Sequence, residues 1–190
     1  MKKIAILASG EGTNAERIIR YFEEKKEEVS VEIVVASRTT AGVIKRAERL
    51  GVPCRVVTSA GFASGEALEV LRGYEVDFIV LAGFLLRIPE DILRVWPCRI
   101  VNIHPSLLPK FGGKGMYGMH VHEAVLAAGE KESGITIQYV NERYDEGDYI
   151  FQARCEVLPD DTPERLAARV HQLEYRYYPE VIEKLVRQHV

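Results

Sequence analysis

Asn102 and His104 stand two residues apart in Ile100-Val101-Asn102-Ile103-His104-Pro105. An imidazole can give or take a proton, and an amide N–H₂ can polarise an oxygen on which charge develops. Residues two apart on a strand share a face. The β-branched, apolar Ile100, Val101 and Ile103, lying between Pro97 and Pro105, predict a short buried strand from Cys98 to Ile103. The pair would then sit side by side at the strand's carboxyl end, where open α/β sheets hold their ligands. Pro105 ends the pairing and Pro109 stiffens the exit, so the loop between them is expected to be fixed. Taken alone, an Asn-x-His is also a strand cap beside a turn, and position in a fold does not establish function.

The longer stretch Asn102-Ile103-His104-Pro105-Ser106-Leu107-Leu108-Pro109, followed by Lys110, resembles the signature of the folate-dependent formyltransferases. The resemblance extends over nearly the whole chain. It implies transfer of a formyl group from 10-formyltetrahydrofolate, as cosubstrate, to the amine of glycinamide ribonucleotide. Such a transfer requires attack on the formyl carbon, stabilisation of an oxyanion and one proton moved to the leaving nitrogen, with no obligatory metal. His104 and Asn102 suit these tasks. A free histidine, with a pKa of about 6.5, is mostly neutral at pH 7, so a charged ring needs a carboxylate neighbour. The resemblance assigns that place to Asp145 in Tyr144-Asp145-Glu146-Gly147-Asp148. Glu146 and Asp148 stay open on the residues alone, because Asp and Gly also build turns.

Gly10-Glu11-Gly12-Thr13-Asn14-Ala15 follows an apolar run, Lys3 to Ala8, and precedes an amphipathic segment carrying Ile18, Ile19 and Phe22. Strand, glycine loop and helix N-terminus together can receive a phosphate. The resemblance makes this the site of the ribonucleotide phosphate, at Gly12, Thr13 and Asn14, and places Glu174 near the glycinamide and ribose groups. The same loop fits the G-x-G-x-x-A form of a dinucleotide fingerprint. The acidic ribose partner is missing after the second strand, where Ser37-Arg38-Thr39-Thr40 stands, although Arg38 would suit a 2′-phosphate. An NADP-dependent oxidoreductase is therefore one alternative. The catalytic domain of a methionyl-tRNA formyltransferase and a non-catalytic binding module of the same fold are two others.

For the folate, the resemblance implies a cleft built from Leu85, Leu86, Arg87 and Ile88, closed on its other side by Asn141 to Asp145, with Asn102 at its base. Phe84-Leu85-Leu86 taken as plain sequence is ordinary core, and Glu174 an ordinary solvated helix face. Three departures stand out. Gln138 replaces a histidine of many relatives, Gly65 stands where relatives carry an arginine toward the folate tail, and the loop Gly112 to Gly118 is longer.

The elements that must position these residues follow from hydrophobic period. Strands are expected at Lys3 to Ala8, Val29 to Ser37, Pro53 to Thr58 and Asp77 to Ala82. Helices are expected at Val43 to Leu50, Glu66 to Tyr74, Pro89 to Val95 and His120 to Ala128. Ile135 to Val140 and Tyr149 to Val157 read as two antiparallel strands. Thr162 to Val190 reads as a helical region broken or restarted at Pro179. The expected architecture is one α/β domain over residues 1–190, with a Rossmann-like, mostly parallel sheet, helices on both faces and an antiparallel pair in the C-terminal half. Its parallel half is expected to extend to about Pro97.

A chain of 190 residues suffices for one well-buried domain. The net charge of −3 provides no general attraction to nucleic acid or anionic membrane, so an anionic substrate must be held by local groups. Three scattered cysteines, Cys54, Cys98 and Cys155, read as buried thiols of a reducing compartment, and the first residues carry no long apolar signal segment; a cytoplasmic protein is expected. His120 and His122 do not share a helix face, so no metal site is expected.

Overall fold

The computed structural model describes residues 1–188. One sheet of seven strands has the order β3-β2-β1-β4-β5-β6-β7. Strands β1 (Lys2–Ala8), β2 (Val29–Ala36), β3 (Cys54–Val56), β4 (Phe78–Leu81) and β5 (Ile100–His104) pair in parallel. Strands β6 (Glu132–Tyr139) and β7 (Tyr149–Glu156) continue the sheet antiparallel. The α/β expectation holds, with the parallel part reaching one strand beyond Pro97.

Continuous apolar runs such as Ile4 to Ala8 and Phe78 to Leu81 need cover on both sides, and two hydrophobic clusters supply it. On one face, α1 (Thr13–Glu23), α6 (Met119–Ala127) and α7 (Pro163–Gln188) bury Ile18, Phe22, Val125, Val170 and Ile182 against β1, β5 and β6. On the other, α4 (Glu66–Gly73) and α5 (Glu90–Val95) bury Leu71 and Ile92 against β1, β2 and β4. The remaining helices are α2 (Val43–Arg49) and α3 (Ser59–Ser64). The short α3 was not expected; it ends at Gly65, whose φ of 90° lets the chain turn directly into α4.

Three expectations are corrected. The signature strand begins at Ile100 rather than Cys98, because Cys98 sits at φ 55° in the preceding turn. The cysteines are free but not buried: Cys98 is exposed, while Cys54 and Cys155 are half-covered. The helix expected to break at Pro179 runs through it. Proline offers no N–H to the carbonyl of Tyr175 one turn earlier. Arg17 of α1 supplies the missing donor, its Nε lying 3.1 Å from that oxygen. Tyr178, Val181 and Ile182 are buried around the proline and hold both halves against the sheet. The expected end of that region, His189 and Val190, lies outside the described residues.

No helix among the described residues is long and apolar enough to cross a membrane.

Candidate active site

In this sheet the strand order reverses between β1 and β4, and the loops leaving their carboxyl ends diverge there, which is where such sheets form a ligand crevice. Ser9 binds the two loops together. Its N–H donates to the Gly83 carbonyl at 3.0 Å, and its Oγ accepts from the Leu85 N–H at 2.9 Å and from the Ser37 hydroxyl at 2.7 Å. Ser9 was missed in the sequence, where a lone serine before a glycine loop has no distinguishing mark.

Along β5, Val101 and Ile103 enter the cluster under α6 and α7, so the alternating Asn102 and His104 face the other way. Opposite them on β6 lie Gln138 and Thr136, and opposite Thr136 on β7 lies Gln152. Cross-strand neighbours share a face. The outcome is a polar patch at the sheet's carboxyl edge inside an otherwise apolar fold.

Thr136 and Gln152 hold the loop after His104. The Thr136 hydroxyl donates to the Ser106 carbonyl at 2.8 Å and accepts the Leu108 N–H at 3.0 Å, while the Gln152 amide donates to the Leu108 carbonyl at 3.0 Å. Ser106, fully buried, donates to the Lys110 carbonyl at 2.7 Å. The loop is therefore fixed as expected, although by side chains of the following strands more than by its prolines.

His104 is 4% exposed. Its Nε2–H donates to the Phe111 carbonyl at 2.7 Å, and its Nδ1 lies 3.6 Å from Asp145 Oδ2, an ion-pair separation too long for a hydrogen bond. Asp145 is itself held: Oδ2 accepts the Gly113 N–H at 2.9 Å and Oδ1 accepts the Gln138 amide at 3.0 Å. Of the three acidic residues of this turn, Asp145 is the one brought to the histidine, while Glu146 and Asp148 are exposed. Gly147 has no room for a side chain, because a Cβ there would overlap the Tyr139 carbonyl. The Asn102 side chain makes no hydrogen bond among the described residues, so its amide is available to a ligand.

The glycine loop leads into α1 through Gly12, at φ 77°, whose carbonyl accepts the Glu16 N–H at 2.9 Å. Thr13 opens the helix, and the Asn14 side chain donates to Glu174 Oε2 at 2.9 Å. Glu174 is 4% exposed, which corrects the reading of a solvated helix face. His171, one turn earlier on α7, donates to the same Oε2 at 2.8 Å. That bond raises the His171 pKa against the opposing effect of burial. His122 on α6 has its ring centroid 6.5 Å from that of His171, and burial and then the charge of His171 lower its pKa. Neither histidine was singled out as a site residue.

The loop expected to form the folate cleft is partly core and partly open. Phe84 and Ile88 are buried, Leu85 and Arg87 exposed and Leu86 intermediate. The Asn141 side chain is engaged within its own turn, with Nδ2 donating to the Glu146 carbonyl and Oδ1 accepting the Arg143 N–H, so its backbone is what remains for a ligand. Arg38, which the NADP alternative requires, has its Nε donated to the Ser9 carbonyl at 2.6 Å. Among the described residues no group of three His, Cys, Asp or Glu side chains is placed to hold a metal ion. His120 and His122 are separated by the helix, the first exposed and the second buried.

A reversed-order α/β sheet with Asn-x-His at its carboxyl edge and a carboxylate beside the ring has the groups a group-transfer enzyme needs, and residues 2–182 match the formyl transferase family model. The chain belongs to that family. It is 40% identical to the chloroplastic phosphoribosylglycinamide formyltransferase of Arabidopsis thaliana over 195 residues, covering 100% of this chain and 67% of the relative. Against the phosphoribosylglycinamide formyltransferase of Bacillus subtilis the identity is 37%, with 98% of this chain and 95% of the relative covered. The chain spans less of some other relatives, 62% of the Vigna unguiculata protein and 14% of a trifunctional purine biosynthetic protein of Drosophila melanogaster. The crystal structure of glycinamide ribonucleotide transformylase 1 from Symbiobacterium toebii superposes with a TM-score of 0.90 at 35% identity, covering 99% of this chain and 89% of that one.

Proposed function

We propose that this chain, as one catalytic domain over residues 1–190, transfers the formyl group of 10-formyltetrahydrofolate to the amine of glycinamide ribonucleotide, releasing formylated ribonucleotide and tetrahydrofolate. The observation that carries the reading is His104, buried beside the anchored carboxylate of Asp145 and on the same strand face as Asn102, whose amide has no partner among the described residues. Relatives of similar length whose names state this substrate support it.

Attack of the unprotonated amine on the formyl carbon gives a tetrahedral oxyanion. Asn102 donates its amide N–H to that oxygen, and a protonated His104 adds its charge. As the carbon–nitrogen bond to the folate breaks, the leaving nitrogen takes one proton and the attacking nitrogen loses one. Nε2 of His104 is occupied by Phe111, so Nδ1, on the Asp145 side, is the ring nitrogen that serves this transfer. It lies 3.6 Å from the carboxylate, and a small adjustment on substrate binding brings it to hydrogen-bond distance.

Gly12, Thr13 and Asn14 receive the phosphate at the start of α1, and Glu174 meets the ribose or glycinamide. The folate lies along Leu85, Leu86, Arg87 and Ile88, with Asn102, Asn141 and Asp145 opposite. Both substrates are small molecules, the chemistry requires no metal, and the three free thiols fit a reducing compartment such as the cytoplasm.

The test is a spectrophotometric assay of folate release with glycinamide ribonucleotide or with methionyl-tRNA as acceptor. Turnover with the ribonucleotide alone is expected. Turnover with the tRNA alone, or tight NADPH binding without folate binding, would replace this reading.

A further inference from the structure

Glu174 is buried at 4% exposure, and a single one of its oxygens, Oε2, accepts both the Asn14 amide and the His171 Nδ1–H. Two donors on one oxygen fix the carboxylate plane. The other oxygen, Oε1, makes no hydrogen bond among the described residues and is left for a ligand. Asn14 belongs to the start of α1, and His171 and Glu174 both to α7, so the carboxylate ties α7 to α1 through side chains.

Resting on the function proposed above, we infer that His171 is a positioning residue: by holding Glu174, it orients Oε1 toward a hydroxyl or amine of the phosphorylated sugar substrate. The groups facing its ring are few. Glu174 lies on its own helix, Tyr175 stacks at 6.0 Å with the rings 12° apart, His122 approaches from α6 at 6.5 Å, and Arg17 of α1 is bonded to the Tyr175 carbonyl. His122 is buried with its Nδ1 unpartnered and, although it feels the Glu174 charge, makes no hydrogen bond to that carboxylate among the described residues. The carboxylate favours the charged form of His171, while burial and then the charge of His171 disfavour that of His122, an uneven pair that favours positive charge on the residue touching Glu174.

The consequence is confined to one substrate. A charged donor holds the carboxylate more firmly than a neutral one, so affinity for the ribonucleotide should be greatest while His171 is protonated and should decline as pH rises past its titration. Folate affinity should not follow.

The experiment measures ribonucleotide Kd by calorimetry from pH 5.5 to 8.5, together with KM for each substrate and kcat, in wild type, His171→Gln and His171→Ala. Differences between proteins cancel the ligand phosphate's own ionisation near pH 6. His171→Ala is expected to raise ribonucleotide Kd and KM about tenfold, the scale of one hydrogen bond to a charged group, with a smaller change in kcat. His171→Gln keeps a donor without charge, so it should restore part of the affinity and lose the pH slope. Thermal unfolding of each variant shows whether the fold is retained. An unaltered pH slope in His171→Ala, or equal losses for both substrates, would overturn the assignment. If wild type transfers no formyl group to the ribonucleotide, the proposed function itself fails, an outcome separate from transfer without this pH dependence.

Discussion

Gln138 donates its side-chain amide to Asp145 Oδ1 at 3.0 Å, across the turn that joins β6 to β7. Gln138 also stands opposite Asn102 in the sheet. Together with the Gly113 N–H, Gln138 thereby sets the carboxylate beside His104 from the strand that flanks β5. The replacement of a histidine by glutamine retains a donor at this point.

Removing that donor should therefore weaken catalysis through Asp145. Gln138→Leu is expected to lower kcat about tenfold to a hundredfold, the range for one hydrogen bond to a charged group. Gln138→His should keep most of the activity, since an imidazole also donates. Steady-state rates of both variants check this, and equal losses would show that the contact with Asp145 is not what matters.

His104→Ala and Asn102→Ala should each leave the fold intact and reduce turnover. General acid catalysis contributes about 10² to 10⁴ in rate, and one oxyanion donor about 10² to 10³. Single-turnover formyl transfer measures the loss. A His104→Ala protein with wild-type turnover would remove the imidazole from the mechanism.

Gly12→Ala should reduce both stability and ribonucleotide binding. A Cβ at this position would lie 2.5 Å from Val43 Cβ, on a backbone with φ of 77°. The left-handed conformation alone costs an L-residue about 1–2 kcal/mol. A lower thermal midpoint together with a raised KM for the ribonucleotide is expected. Loss of stability without loss of binding would detach the loop from the phosphate.

Acid should weaken the fold through Asp161. Arg169 grips it with two bonds, of 2.7 and 2.9 Å, and mainly through these holds its pKa down to about 2. In the unfolded chain an aspartate titrates near 3.9. The contribution is thus complete above about pH 4 and is lost as pH falls through the folded value of about 2. Asp161→Asn should lower stability at neutral pH and reduce the acid-induced loss between pH 4 and 2. Urea unfolding across that interval is the measurement.

Much of this molecule was legible in its residues. Apolar runs and 3.6-residue periods located the strands and most helices, and the octapeptide led to His104 and Asn102 because strand alternation is a local rule. Asp145 needed the resemblance, since nothing in Asp-Glu-Gly-Asp distinguishes one carboxylate from another before the turn is folded. Glu174 likewise came only through the resemblance, and His171 and His122 were not assigned to the site at all. A helix carrying charges every few residues does not disclose which of them faces a neighbour, and the contacts that mark these residues, Glu174 with Asn14 of α1 and His171 of α7 with His122 of α6, join positions far apart in sequence. The same holds for Pro179, whose disruptive effect is answered by an arginine 162 positions earlier (179 − 17).

The hydroxyl of Ser9 has a role beyond its own bonds. It fastens the loop after β4 to the loop after β1, at the place where the strand order reverses. The span between these two loops is consequently gauged by main chain and a single short side chain, not by long flexible arms. The crest of the sheet acts as a fixed jig that sets the distance from the glycine loop to the segment Leu85 to Ile88.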